Sequence, residues 1–192
     1  MIVKLFKDYL YKKGYKINKV SKLDILNENH LIAIKKAIGT NPILFDIGAN
    51  NGQTVTKFRK ILADSYIHSF EPSKLCFKVL SETHFKTENV KINNKAVGNE
   101  KGSLIFNEYS ASSLNSLLKR SFTKSTIIDN YPVEIITVDD YCTENKINKI
   151  NLLKTDTEGF ELNVLKGANR MFDENKIQFV YVEIFFFENY IG

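Results

Sequence analysis

The 192 residues, 43% hydrophobic and 26% charged, are enough for one domain with a sizeable core. A net charge of +5, with no long run of like charge, leaves no electrostatic footprint for nucleic acid; solvated helix faces account for the excess. Cys76 and Cys142 lie too far apart for a redox or zinc motif, and His30, His68 and His84 have no ligand spacing, so a reducing cytoplasm and no zinc are expected.

Residues 1–40 read as a peripheral helical segment preceding a domain over 41–192. Ile2, Leu5, Phe6, Tyr9 and Leu10 recur at helical spacing, and Gly14 ends the helix. Lys4, Lys7 and Asp8 interrupt any apolar core, so no signal peptide is expected. A second helix runs from Asn29 to Ile38 and stops at Gly39. Two readings of this basic amphipathic start remain: a cap on the domain or its cofactor, or weak peripheral contact with a membrane surface.

Ile43 to Ile47 is an apolar run holding one acid, Asp46, and it stops at Gly48-Ala49-Asn50-Asn51-Gly52. That is a buried strand turning into a helix, Gln53 to about Leu62, whose N-terminal amides suit a polar group. A dinucleotide turn would carry a middle glycine where Ala49-Asn50 stand. The form D-x-G-x-x-x-G is the one S-adenosylmethionine (SAM) enzymes use. A second strand, Tyr66 to Phe70, ends at Glu71-Pro72. Glu71 lies 19 residues past Gly52, where an acid accepts ribose hydroxyls. Asp46, Gly48, Ala49, Asn50, Gly52 and Glu71 are therefore cofactor candidates, with Asn50 as a donor to the cofactor carboxylate. The alternative is a glycine-rich turn beside an ordinary surface acid.

A helix opens at Pro72-Ser73 and runs to about His84. Strand 3 spans Val90 to Val97, and Ala96, Val97 and Gly98 at its end are candidates for an adenine wall by position, or else an ordinary strand end. A strand at 102–107 pairs with one at 133–138. Between them Tyr109 to Ser116 is mostly small and polar, either a loop over the active site or a plain surface loop. A short helix starts at Asp139. Strand 4, Ile150 to Thr155, ends at Asp156, and a helix follows Gly159-Phe160 until Gly167. Strand 5, Ile177 to Ile184, is nearly continuous in apolar residues, as a buried parallel strand should be. The apolar stretch Phe179 to Phe187 is broken by Glu183 and is too short to span a membrane.

Three blocks carry a resemblance: Asp46-Ile47-Gly48-Ala49-Asn50-Asn51-Gly52, then Phe70-Glu71-Pro72, then Lys154-Thr155-Asp156-Thr157-Glu158-Gly159-Phe160-Glu161 with Leu165-Lys166-Gly167-Ala168. They resemble the FkbM-type methyltransferase family over about residues 41–183. The resemblance implies an α/β fold of the Rossmann-like class I SAM methyltransferase kind, with a mostly parallel central sheet flanked by helices. It implies SAM as cofactor and O-methylation of a sugar, glycan or small natural-product hydroxyl.

Methyl transfer to an alcohol needs alignment and a base within reach of the hydroxyl proton. Asp156 and Glu158 are the catalytic candidates by position. Glu158 has the alternative role of capping the following helix. Asp156 and Glu183 offer two oxygen ligands with no third at usable spacing, so no metal is expected. The chain departs from the family after strand 5: no room is left for the usual strand 6/7 hairpin. That leaves strand 5 as an edge open to homo-oligomer pairing. It also leaves a second reading, a catalytically weak or inactive SAM-binding domain.

Overall fold

The computed structural model describes residues 2–14, 29–121, 124–184 and 190–191. Two N-terminal helices, α1 (Ile2–Lys12) and α2 (Asn29–Ile38), precede β1 (Ile43–Ile47). Then follow α3 (Gln53–Ile61), β2 (Tyr66–Phe70), α4 (Lys74–His84), β3 (Val90–Asn93) and β4 (Ala96–Val97). An excursion comprises β5 (Gly102–Tyr109), a 3-10 turn at Ser112–Leu114, β6 (Lys119–Arg120) and β7 (Ile127–Ile136). The chain continues through α5 (Val138–Glu144), β8 (Ile150–Thr155), α6 (Glu161–Lys166), α7 (Asn169–Asp173), β9 (Ile177–Val182) and β10 (Tyr190–Ile191).

The central sheet is five-stranded and parallel, in the order β3-β2-β1-β8-β9. β1 sends the chain to β2 on one side, while β8 lies on its other side, so the topological switch point falls between β1 and β8. Alternation across the pleat splits the core in two. Phe45 and Leu153 face a cluster with α5, α6 and α7, and Leu44 and Leu152 face one with α2, α3 and α4. Their strands are buried on both faces, which is why they read as continuous apolar runs.

The second sheet explains the largest difference from the sequence reading. Strand 3 is not continuous to Val97. The chain leaves the main sheet after Asn93, and Ala96–Val97 pairs in parallel with Ile135–Ile136 of β7. β7 also pairs antiparallel with β5, giving the order β4-β7-β5. Phe106, Tyr131, Val133 and Ile135 form its own small core. The polar run Asn93-Asn94-Lys95 breaks the strand pattern, but nothing in it shows that Ala96-Val97 pairs with a different sheet.

Local chemistry sets the helix ends. The Ser73 hydroxyl accepts Cys76 N–H at 3.0 Å and caps α4. Thr137 caps α5 by accepting Asp140 N–H at 3.0 Å. The short helix α7 is absent from the sequence reading; the Asp139 carboxylate holds its start, accepting Arg170 N–H at 2.8 Å and Met171 N–H at 3.1 Å. At the base of the sheet, Asn151 accepts Ile43 N–H and donates to Ile38 O, tying α2 to β1 and β8.

The N-terminal helices are docked. Leu10 is buried in the α5–α7 cluster, and Tyr9 Oη donates to Leu165 O at 2.8 Å. Leu31 and Ile38 of α2 join the opposite cluster. The side chains of Ile2, Leu5 and Phe6 lie outside the described ones, as do Phe185 to Phe187. Strand 5 of the sequence reading corresponds to β9, which ends at Val182 and forms an edge of the central sheet among the described residues. β10 pairs with β6 instead. No described helix is long and apolar enough to cross a membrane.

Gly167 supplies a test of this packing. A Cβ placed there would sit 2.0 Å from Gly98 O, and its φ needs no glycine, so the constraint is steric. Gly167→Ala is expected to cost about 2–3 kcal/mol. The readout is a lower denaturant midpoint at unchanged m-value.

Candidate active site

A cleft of about 320 Å³ opens at the carboxyl ends of β1 and β8, at the switch point. Gly48, Ala49 and Asn50 form one wall. The turn is held from behind: Gly48 and Ala49 both donate to Phe70 O at 3.0 Å. Gly48 must be glycine twice over. Its φ is +78°, and a Cβ would lie 1.9 Å from Asp156 O. The glycine turn and the end of β8 are thus in backbone contact, reinforced by Asp156 N–H donating to Ile47 O at 3.0 Å.

Glu71 lines the same cleft and is only 4% exposed. Its Oε2 accepts Asn50 N–H at 2.7 Å, and its Oε1 accepts Ser73 N–H at 2.8 Å. Each oxygen keeps a further lone pair for a ligand. Burial outweighs those amides and pushes the carboxyl up to about 7. Ala96 and Val97, with Phe106 and Leu117 of the excursion, add an apolar wall. Gly98 does not line it.

Two sequence candidates stand outside the cleft wall. Gly52, at φ +89°, is pinned beneath the turn, where a Cβ would meet His84 and Leu80 at 2.8 Å. Asp46 is fully buried behind the turn. Asn50 lines the cleft, but its side chain is engaged within the protein: Nδ2 donates to Ser112 O at 3.0 Å, and Oδ1 accepts Asn51 N–H at 2.8 Å. The serine-rich loop is thereby fastened over the turn, and Ser112, Ser113 and Asn115 line the cleft.

Lys154 is the residue sequence reasoning passed over. Its side chain is 5% exposed, with Nζ 3.0 Å from Asp46 Oδ1 and 3.5 Å from Asp156 Oδ2, and it donates to Gly48 O at 3.0 Å. Burial pulls the ammonium down, but the two carboxylates outweigh it and leave it above its ordinary value. Burial pushes Asp46 the other way, upward, against Lys154. The Asp46 oxygens have no well-directed hydrogen bond, so the contact is an ion pair resting on Coulomb attraction. With two acids and a carbonyl around it, the ammonium is the better satisfied member, and we assign it the charge. The sequence marks it only as a lysine near the end of β8; its partners on β1 and the turn lie far away in sequence.

Asp156 and Glu158 both line the cleft. They differ in freedom. Glu158, at φ +54°, has Oε2 taken by Arg120 Nη2 and by Tyr190 Oη. The Tyr190 ring lies where a Cβ at Gly159 would sit, 2.7 Å from its nearest atom, and Arg120 stacks on that ring at 4.9 Å. The Asp156 side chain is 41% exposed. No side chain caps α6; the Glu161 carboxylate instead ties the turn before it, accepting Thr157 N–H at 2.7 Å and Gly159 N–H at 3.1 Å.

A family model described as the methyltransferase FkbM domain matches residues 46–192. The chain belongs to the FkbM methyltransferase family. No curated protein matches it significantly. The segment matched to the FkbM domain starts at Asp46 and takes in the turn, Glu71, the excursion sheet and three acids beyond the ends of β8 and β9. Those acids are Asp156, Glu158 and Glu183, with carboxylate oxygens all within 4.8 Å of one another. The spacing alone had joined only Asp156 and Glu183. The third member arrives through the left-handed turn at Glu158.

Burial, then hydrogen bonding with Asp156 and its charge, push Glu183 up to about 8. A glutamate in the unfolded chain titrates near 4.3, as ~4.3 is the usual value. Between that value and about 8 the folded FkbM domain keeps a proton that the unfolded chain has released. Stability therefore falls as pH rises through the window and levels off above it. Glu71 adds the same sign but stops near 7. Thermal unfolding followed from pH 5 to 9 is expected to show this decline, and Glu183→Gln should abolish the part between about 7 and 8. Lys154→Met should cost about 3–5 kcal/mol in denaturant melts by stranding Asp46. The double variant with Asp46→Asn should recover part of it.

Proposed function

We propose that this methyltransferase binds SAM in the cleft and transfers a methyl group to a hydroxyl of a sugar, glycan or small natural product. The observation that carries the reading is one continuous cleft holding the glycine turn, buried Glu71, the Ala96–Val97 wall and Asp156. The residues suit the cofactor chemically. A buried acid with two unused lone pairs fits a ribose diol, and an apolar wall fits an adenine face. The absence of a Cβ at Gly48 lets the turn sit against the Asp156 carbonyl, which brings the turn and Asp156 to one cleft.

The cofactor, when bound, supplies a methyl group on a sulfonium. The protein's part is to align the acceptor and to receive its proton. Asp156 takes the proton role, since it faces the cleft with a 41% exposed side chain while Glu158 is held by Arg120 and Tyr190. Glu158 shapes the wall. Ser112, Ser113 and Asn115 offer hydroxyl and amide groups to a polyhydroxylated acceptor. Asp46 acts indirectly, through Lys154 and the turn.

The test is calorimetric titration with SAM and S-adenosylhomocysteine. Micromolar binding by the wild type is expected, weakened at least tenfold, or ~1.4 kcal/mol, in Glu71→Ala. Affinity should also fall as pH drops below about 7, where Glu71 takes up its proton. With nucleotide sugars and glycans as acceptors, Asp156→Asn should lower kcat by about 10²–10⁴ with little change in cofactor affinity. Binding without transfer to any hydroxyl would favour a catalytically silent SAM-binding domain.

A further inference from the structure

Glu108 is a buried acid that the proposed reaction does not use. It lies on β5 at 3% exposure, and no cation forms an ion pair with it among the described residues. Its partners are two hydroxyls. Ser73 Oγ donates to Oε1 at 2.5 Å, and Tyr131 Oη donates to Oε2 at 2.7 Å. Burying a carboxylate on neutral donors alone is costly. A folding role by itself would be met more cheaply by an apolar pair.

The Ser73 hydroxyl shows what the acid does. As the cap of α4 it need only accept a hydrogen bond, and it does so from Cys76 N–H at 3.0 Å. Its own proton is surplus to capping, and Glu108 takes it. A hydroxyl that both donates and accepts has no rotational freedom left. Ser73 is therefore locked, and its main-chain N–H is the group that donates to Glu71 Oε1 at 2.8 Å. The chain Glu108, Ser73, Glu71 runs from the excursion sheet into the cleft.

We infer that Glu108 is a positioning residue for the ribose end of the cleft, fixing the Ser73 hydroxyl and through it the amide that orients Glu71. The inference rests on the cofactor reading proposed above. Tyr131 fills the second oxygen and anchors the far end: its Oη accepts Lys74 N–H at 2.9 Å. Tyr131→Phe thus disturbs the same buried acid without cutting the Ser73 link.

The experiment compares S-adenosylhomocysteine with its 2′-deoxyadenosyl analogue by calorimetry, on variants whose folding is checked by circular dichroism. Wild type should prefer the natural ligand. Glu108→Ala should weaken the natural ligand about tenfold and the deoxy analogue less than about threefold, so that the preference is largely lost. In the Glu71→Ala background the same change should cost almost nothing further. Glu108→Gln keeps an acceptor for the serine and should restore affinity to within about threefold. Tyr131→Phe should lower the melting temperature yet keep the ribose preference. Equal weakening of both ligands, additive losses in the double variant, or no effect in Glu108→Ala would each overturn the inference while the cofactor reading stands. A folded wild type that binds neither ligand would overturn the cofactor reading, and this inference with it.

Discussion

One buried ammonium holds the two halves of the cleft in register. Lys154 rises from near the carboxyl end of β8 and meets Asp46 of β1, the Gly48 carbonyl and Asp156. Those three groups lie on either side of the switch point, where parallel strands leave their ends unpaired. Without a cation there, Asp46 would be an isolated charge at zero exposure, and the turn would lose its tether to β8. A lysine suits the place better than an arginine. Its compact head serves three acceptors in different directions, where a planar fork would favour one carboxylate.

A second constraint comes from the excursion between β3 and β8. It places β4, β7 and β5 beside the cleft and carries the loop at 110–116 over it. Contacts that fasten this piece to the turns at the ends of β1, β2 and β8 include Asn50 with Ser112, Ser73 with Glu108, Lys74 N–H with Tyr131 Oη, and Ser116 Oγ donating to Glu158 O at 2.7 Å. The cleft walls are thus set by hydrogen bonds between layers, and the apolar clusters on the two faces of the main sheet only fix the platform beneath them.

The main sheet was legible because its signals are local. Short segments rich in β-branched, aromatic and leucine residues, bounded by glycine, proline or polar turns, mark β1, β2 and β8, and the glycine turn and Glu71 sit at fixed places after the first two strands. The α4 boundary followed from Ser73. What escaped was long-range. The polar run Asn93-Asn94-Lys95 offered a break, but that Ala96–Val97 joins another sheet is a tertiary event. The partners of Glu158 and Glu161 were equally hidden, because two acids three apart look alike until the left-handed turn sends one to Arg120 and the other to amides at 157 and 159. Lys154 and Glu108 were invisible as site residues for the same reason: their partners lie far away in sequence.

The acids Asp156, Glu158 and Glu183 pose an electrostatic problem that their surroundings answer. Three carboxylates within 4.8 Å repel one another strongly if all are ionised. Arg120 and the Tyr190 hydroxyl take up Glu158. Glu183, raised to about 8, keeps its proton at neutral pH. Two of the three negative charges are thereby compensated, by a cation in one case and by protonation in the other. Asp156 remains, with Lys154 at its back and solvent at its front. In the proposed reaction this leaves one carboxylate to receive a hydroxyl proton. It also explains why two more acids nearby do not compete for the role: each is already spoken for by its own neighbours.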